Sequence, residues 1–114
     1  MAGLTQAVAA LEAELAVVGV PVVMDPGTFT APAIVVEAPT VVSATQGGYT
    51  LSVPVVLAAT QPANRAALDW LLTHLGAVLE ACGSHDSSPG IYSPNGQTNY
   101  PCYRTTATIT VRSI

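Results

Sequence analysis

Residues 49–59 read YTLSVPVVLAA, and this stretch decides the fold. Its odd-numbered positions from 49 to 57 are all apolar, and the first three positions between them hold two hydroxyl residues and a proline. Because side chains alternate between two faces along a strand, this pattern predicts a β-strand with one apolar face. Residues 33–43 are equally rich in β-branched side chains, and a Gly-Gly pair at 47–48 precedes the second strand. The two stretches therefore predict a β-hairpin.

Helices are expected on either side of this hairpin. Apolar residues recur at spacings of four and three from Leu4 to Val18, which predicts an amphipathic helix that ends at Gly19. A short strand is expected next, at residues 20–24. Thr60 is predicted to start a second helix, whose leucines recur at helical spacing until Gly83 ends it.

The last stretch, residues 102–114, alternates again, with apolar residues on one face and threonines and arginines on the other. This pattern predicts a half-buried strand with a threonine-lined outer face. The chain is expected to form one domain, residues 1–114, because chains usually divide only well beyond this length. The order α-β-β-β-α-β predicts an α+β fold, with two helices packed on one face of a small mixed or antiparallel β-sheet.

A long polar loop is expected at residues 83–101, between the second helix and the last strand. Loops of this length inside compact domains are usually functional or disordered. Three tyrosines lie in or beside this stretch, and tyrosine favours contact surfaces. The alternative is that these rings pack the loop onto its own domain. The candidate interface set is Phe29, Tyr92, Tyr100, Tyr103, Arg104 and Arg112.

Charge is scarce in this chain. Only 9% of the residues are charged, with three arginines, no lysine, seven acids and a net charge of −4. Three cations cannot neutralise many phosphates, which excludes nucleic-acid binding through a basic surface. No apolar run reaches the ~20 residues that a membrane span needs. A surface this poor in charge suits a subunit that copies of itself cover, and an Ala/Val-rich monomer is the alternative.

Few residues offer metal-binding or catalytic chemistry. Cys82, His85 and Asp86 are all of zinc-ligand type and Cys102 would complete a site, but their spacing matches no standard zinc motif. The sequence leaves open whether the two cysteines form a disulfide. It contains no nucleophile elbow and no phosphate-binding glycine loop with a lysine. We therefore expect neither an enzyme nor a bound cofactor, with a small metal-binding α+β domain as the alternative.

Six segments in a fixed order carry a resemblance that extends over nearly the whole chain. They are the first helix (Leu4 to Val18), Val20-Pro21-Val22, residues 33–39 (AIVVEAP), residues 51–57 (LSVPVVL), the helix containing Leu68-Asp69-Trp70-Leu71-Leu72, and the strand from Thr105 to Val111. In this arrangement the chain resembles the tail terminator (tail completion) proteins of long-tailed bacteriophages, particularly those of actinobacteriophages. The match is one of pattern rather than of a chemical signature.

The resemblance implies a ring, typically of six copies, on the end of the completed tail tube. Such a ring stops tube polymerisation and presents a surface to the neck or head-completion proteins of the filled head. DNA passes through its lumen without specific binding, and no catalytic residue, cofactor or membrane is implied. The expected location is the virion tail or neck, assembled in the host cytoplasm, and residues 1–15 lack the positive charge of an export signal. A neck or head-completion connector of the same phages is the alternative.

Overall fold

The protein is described from a computed structural model, which covers residues 4–24, 29–45, 48–60, 64–83, 86–93, 96 and 98–112. Two helices and a mixed sheet of six strands confirm the α+β class. The elements are α1 (Leu4–Ala16), β1 (Val22–Val23), β2 (Ala33–Val36), β3 (Thr40–Thr45), β4 (Gly48–Ala58), α2 (Arg65–Cys82), β5 (Ser88–Tyr92) and β6 (Tyr100–Arg112).

The sheet is built around β4, the strand that the alternating stretch forms. Its strand order is β1-β2-β4-β6-β5, and β3 also pairs with β4. Only β1 and β2 run parallel to each other; the other pairs are antiparallel. One edge of β4 is shared, because β2 pairs with its residues 55–58 and β3 with its residues 48–52. Along its other edge, β4 pairs with β6 over its full length.

The first strand of the expected hairpin is interrupted. Residues 33–43 were predicted as one strand, but β2 ends at Val36 and β3 begins at Thr40. Proline has no N–H to give to a sheet, so Pro39 cannot continue the pairing between them. The Glu37 N–H still donates to the Pro54 carbonyl at 3.0 Å, which holds the break against β4. A bulge between Val41 and Ser43 follows within β3.

The stretch predicted as a polar loop, residues 83–101, contains a strand. β5 lies within it and pairs antiparallel with residues 100–104 of β6. Its sequence, SPGIY, gave no strand signal because proline and glycine disfavour sheets. An edge strand nevertheless tolerates Pro89, because the position opposite Tyr103 makes no ladder hydrogen bond to β6.

Helix ends depart modestly from the predicted positions. Asn64 rather than Thr60 caps α2, and its side-chain oxygen accepts the Ala67 N–H at 3.0 Å. Gly83 ends α2 as predicted, in the left-handed conformation with a φ of 63°. The strand expected at residues 20–24 is reduced to the two residues of β1.

Both helices join one face of the sheet in a single apolar core. Leu15 of α1 and Val78 of α2 are fully buried there. The odd-numbered residues of β4 from Leu51 to Leu57 form its centre, together with Ala107 of β6. On the opposite face, a second and smaller core gathers around Val56 and Cys102. The helices thus cover the centre of one sheet face, while the other face is covered only around Val56 and Cys102.

Candidate assembly surface

The uncovered part of the second sheet face is lined by hydroxyl groups. Directly opposite residues of antiparallel strands point to the same face, so each cross-strand pair can be assigned to a side. Thr110 lies opposite Thr50, and Thr108 lies opposite Ser52, which in turn faces Thr40 on β3. We call this surface the hydroxyl face; its members are Thr40, Thr50, Ser52, Thr106, Thr108 and Thr110.

This surface is open and uncharged over most of its length. The three β6 threonines and Thr40 are exposed, and Thr50 and Ser52 are half-buried. Pro54 lies among them, opposite Thr106. No acid or base occurs in β6 between Arg104 and Arg112. A hydroxyl group both donates and accepts hydrogen bonds and carries no charge, so this surface holds neither anions nor cations strongly.

Three aromatic rings cover the other end of the same sheet face. Phe29 meets Tyr92 and Tyr100 edge-on, with ring centroids 5.0 Å apart in both pairs. We call these three rings the aromatic cluster. They pack over the small core around Val56 and Cys102. Tyr92 exposes only 4% of its surface, and burial, followed by the charge of nearby Glu37, raises its pKa.

An ion pair separates the hydroxyl face from the aromatic cluster. Arg104 Nη1 lies 3.1 Å from Glu37 Oε1, joining β6 to the segment that follows β2. The Ser87 hydroxyl donates to the Arg104 carbonyl at 3.1 Å, so the backbone at Arg104 is also held. On α2, Arg65 pairs with Asp69 at 3.0 Å. Both arginines whose side chains are described are therefore matched by a carboxylate, which leaves them little attraction for phosphate.

The far half of β6 has one unpaired edge. Pro101 gives its carbonyl to Ala59 N–H at 2.9 Å, whereas the Arg104 carbonyl turns the other way, toward Ser87. The backbone groups of odd-numbered β6 residues therefore face β4, and those of even-numbered residues face β5. β5 ends at the pair of Ser88 with Arg104. Beyond it, no described strand pairs with the outward N–H and C=O groups of Thr106, Thr108 and Thr110.

Two grooves run along this unpaired edge. On the helix side, a groove of about 280 Å³ is lined by both helices and by Ala107, Thr108 and Ile109. At the edge itself, a polar groove of about 470 Å³ is lined by Gly83, by the residues from Asp86 to Ser88 and by Arg104, Thr105, Thr106 and Thr108 of β6. A strand laid against this edge would therefore meet a polar groove at the edge and a second groove on the helix side.

Of the other sheet edges that the structure describes, those of β5 and β1 are protected, and that of β3 is only interrupted. Pro89 lies in β5, where its missing N–H would otherwise point away from β6. β1 has only two residues and follows Pro21. The bulge in β3 interrupts its outer edge, which otherwise exposes Val41 and Val42. The open half of β6 has neither a proline nor a bulge from Thr106 to Thr110, and no charged side chain.

The structure brings together only some of the residues proposed as an interface. Phe29, Tyr92 and Tyr100 meet in the aromatic cluster, where they pack on their own domain. Tyr103 lies on the opposite face, half-buried against the helix-side core. Arg104 is engaged by Glu37. The backbone of Arg112 pairs with Gly48, while its side chain lies outside the described part of the structure.

The two cysteines lie on opposite faces of the sheet and are both free thiols. Cys82 belongs to the helix-side core and Cys102 to the core beneath the aromatic cluster. A disulfide between them, or a metal site that uses both, is therefore contradicted. Burial, with the charge of Glu14 second, raises the pKa of Cys82 to about 11, and burial likewise raises the pKa of Cys102. Thiols held neutral in this way bind metals poorly.

The remaining candidate metal ligands do not form a site in the described structure. His85 lies outside the described residues. The backbone carbonyl of Asp86 accepts a 2.6 Å hydrogen bond from the Thr105 hydroxyl. Among the residues that the structure describes, no three histidine, cysteine, aspartate or glutamate side chains come together as metal ligands would.

Sequence reasoning missed Glu37 and the unpaired edge of β6. Glu37 meets Arg104 across 67 positions of sequence, and no local pattern reports such a contact. The unpaired edge arises because β5 has five residues and β6 has thirteen. To predict the unpaired edge, β5 must first be recognised as a strand. Its proline and glycine disfavour that assignment.

Comparisons with known proteins return no counterpart: no family model, no curated protein and no solved structure matches this chain. Neither of the described helices is long and apolar enough to span a bilayer.

Proposed function

We propose that this chain is a structural virion protein of a long-tailed bacteriophage, which caps the tail tube as a ring of six copies. The ring ends tail polymerisation and forms the surface to which the neck or head-completion protein binds. The observation that carries the proposal is the hydroxyl face, an exposed and uncharged half of a sheet whose opposite side is covered by helices. The order of the segments along the chain, which resembles that of tail terminators, supports it.

The charge distribution suits a channel for DNA. Six copies at −4 each would carry about −24, so the ring as a whole would repel a phosphate backbone weakly. Among the side chains that the structure describes, a lumen lined by the hydroxyl face would offer DNA no unpaired cation, since Arg104 beside it is paired with Glu37. DNA affinity depends mainly on neutralised phosphates, so DNA would pass such a lining without being retained.

The low overall charge also supports assembly. The central parts of protein interfaces are depleted in charged residues. The described surface combines this depletion with exposed Val41 and Val42 and with an unpaired strand edge. A protein with these features gains more from contact with copies of itself than a highly charged monomer would.

Electron microscopy of the purified protein mixed with isolated tail tubes tests the proposal. We expect a ring at one end of each tube and no further growth when tube subunits are added. Binding to empty heads instead of tube ends would overturn tail termination in favour of the neck connector.

A charge introduced on the hydroxyl face tests the lumen assignment separately. Ser52→Lys adds one cation per copy to the middle of this face, and tail capping should persist while DNA release from the assembled phage slows. The matched control, Thr73→Lys, adds the same charge to the exposed side of α2 and should leave release unchanged. Equal rates of DNA release by the two variants would contradict the assignment of the hydroxyl face to the lumen.

A further inference from the structure

We infer that the unpaired edge of β6 binds the outer edge of β3 from a second copy of this chain, in a head-to-tail contact that closes into a ring. This inference deepens the proposed function, because it names the contact between neighbouring copies. The contact can be tested with or without tail tubes.

The two edges lie at the same height on the sheet. β3 pairs with β4 residues 48–52, and the open half of β6 pairs with the same end of β4. Thr40, Ser52 and Thr108 form one row across the three strands. A neighbouring copy related by rotation alone, about an axis along the strands, therefore presents β3 level with β6. A head-to-tail contact without a shift along the axis closes into a ring instead of a filament.

The strand directions are also compatible. β3 and β6 are each antiparallel to β4, so they run parallel to each other. Rotation about an axis along the strands preserves this direction, and the two edges would meet as a parallel pair. On β6, Thr106, Thr108 and Thr110 supply outward N–H and C=O groups, which a parallel ladder bonds at slanted angles.

The side chains of β3 match the helix-side groove of β6. Val41 lies opposite Leu51, so it points to the helix side, and it exposes 48% of its surface. In the contact, this valine would reach the groove that Leu11, Ala107 and Ile109 line in the neighbouring copy. Removing the exposed valine from water against the apolar residues of this groove is favourable.

Charge favours β3 over a second β6 as the partner. Glu14 and Glu80 both line the helix-side groove beside the unpaired edge. A two-fold contact between two β6 edges would bring these carboxylates toward their own copies, which is unfavourable. β3 reads TVVSAT and brings no acid. The head-to-tail arrangement therefore avoids the repulsion that the symmetric one creates.

A single contact of this kind is small. β3 has six residues and a bulge, so one edge contact buries much less than the ~1,200 Å² of a stable interface. A closed ring gives each copy two such contacts. We expect the free chain to remain largely monomeric when dilute and to assemble when concentrated or when bound side by side on a tube.

Thiol cross-linking distinguishes the two arrangements. The native cysteines are buried, so Thr40→Cys and Thr108→Cys each introduce one accessible thiol on the hydroxyl face. Under mild oxidation, which joins only thiols in direct contact, a concentrated mixture of the two variants should give mixed disulfide dimers, and each variant alone should give almost none. Within one copy the two thiols lie two strands, about 9.5 Å, apart and cannot bridge. The double variant should give a ladder that stops at the ring. The control, Thr73→Cys on α2, reports random collision.

Two outcomes would overturn the inference. One is self-cross-linking of Thr108→Cys alone, which indicates the symmetric β6 contact. The other is mixed cross-linking no faster than that of the Thr73→Cys control, both in concentrated solution and on tubes. Rings on tube ends without mixed dimers would contradict this contact and support tail termination. Mixed dimers without rings on tube ends would support this contact and contradict tail termination.

A proline variant tests the backbone contact itself. Thr110→Pro removes an outward N–H that β4 does not use, so the domain should stay folded. In the double-cysteine variant it should lower cross-linking at least ~10-fold, the effect of about 1.4 kcal/mol. Ile91→Pro, a matched change on the outer edge of β5, should leave cross-linking unchanged. Equal cross-linking with and without Thr110→Pro would contradict strand pairing.

Discussion

The two halves of β6 differ in their neighbours although they belong to one strand. Residues 100–104 pair with β5 on one side, residues 102–104 pair with β4 on the other, and the aromatic cluster covers their outer face. Residues 106–110 pair with β4 alone among the described strands, and their outer face carries exposed threonines. The first half is thus built into the domain, and the second half is left available for another chain.

Under the proposed function, this contrast would keep folding and assembly apart. The helix side of β6 is packed along both halves, from Tyr103 to Ile109, so the open half does not depend on a partner for its fold. Its unpaired backbone groups remain hydrated in the free chain. Four predictions test how far the two halves differ, from the largest expected effect to the smallest.

Aspartate on each half should give the largest difference. Val56→Asp places a carboxylate beneath the aromatic cluster, where the valine is fully buried, and should cost at least ~4 kcal/mol of unfolding free energy. Thr108→Asp lies on the exposed half of the same face and should cost less than about 1 kcal/mol. Urea unfolding of both variants measures the contrast. Similar losses would show that the hydroxyl face is as tightly packed as the aromatic end.

This difference between the halves could be predicted from the sequence only in part. The alternation in residues 49–59 and 102–114 predicted β4 and β6, because side chains alternate along a strand whichever strand pairs with it. The α+β class followed from these strands and from two helices with strong leucine spacing. The threonine-lined outer face of β6 was predicted as well, since it depends only on alternation.

What the sequence could not give was which neighbour each half would have. β5 reads SPGIY, and its strand conformation comes from pairing with β6 rather than from its own preference. The tyrosines around it predicted a contact surface, with packing onto their own domain as the alternative, and Tyr92 follows the alternative: it is buried by contacts with Phe29, which lies far away in sequence. Tertiary contacts of this kind override local propensity and leave no local pattern.

Removal of the central ring should weaken the covered half next. Phe29→Ala removes edge-to-face contacts with both Tyr92 and Tyr100 and should cost about 2 kcal/mol, because the ring is only half-buried. The matched control, Tyr49→Ala, lies at the other end of β4, exposes 40% of its surface outside the aromatic cluster and should cost less than about 1 kcal/mol. Equal costs measured by thermal or urea unfolding would mean that the aromatic cluster adds nothing beyond burial.

The pH dependence of stability should report how well helices cover the open half. Burial raises the pKa of Cys82 from 9.0 to about 11, so between these values the unfolded chain loses a thiol proton that the folded chain keeps. The unfolded state then binds fewer protons, and stability falls as the pH rises through this range, by at most ~1.4 kcal/mol for each pH unit. Cys82→Ala should show a flatter decline in urea unfolding. Identical slopes would mean that water reaches Cys82.

The ion pair at the boundary between the halves should have the smallest effect. Arg104 and Glu37 expose 43% and 37% of their side chains, so water screens their attraction, and a double-mutant cycle with Arg104→Ala and Glu37→Ala should give a coupling below about 1 kcal/mol. The Arg65–Asp69 pair, exposed by 84% and 61%, should couple more weakly still. Added salt should reduce both values. A coupling of Arg104 with Glu37 that is large and insensitive to salt would show that the boundary is closed to water, and the open half would then begin beyond Arg104 at Thr106.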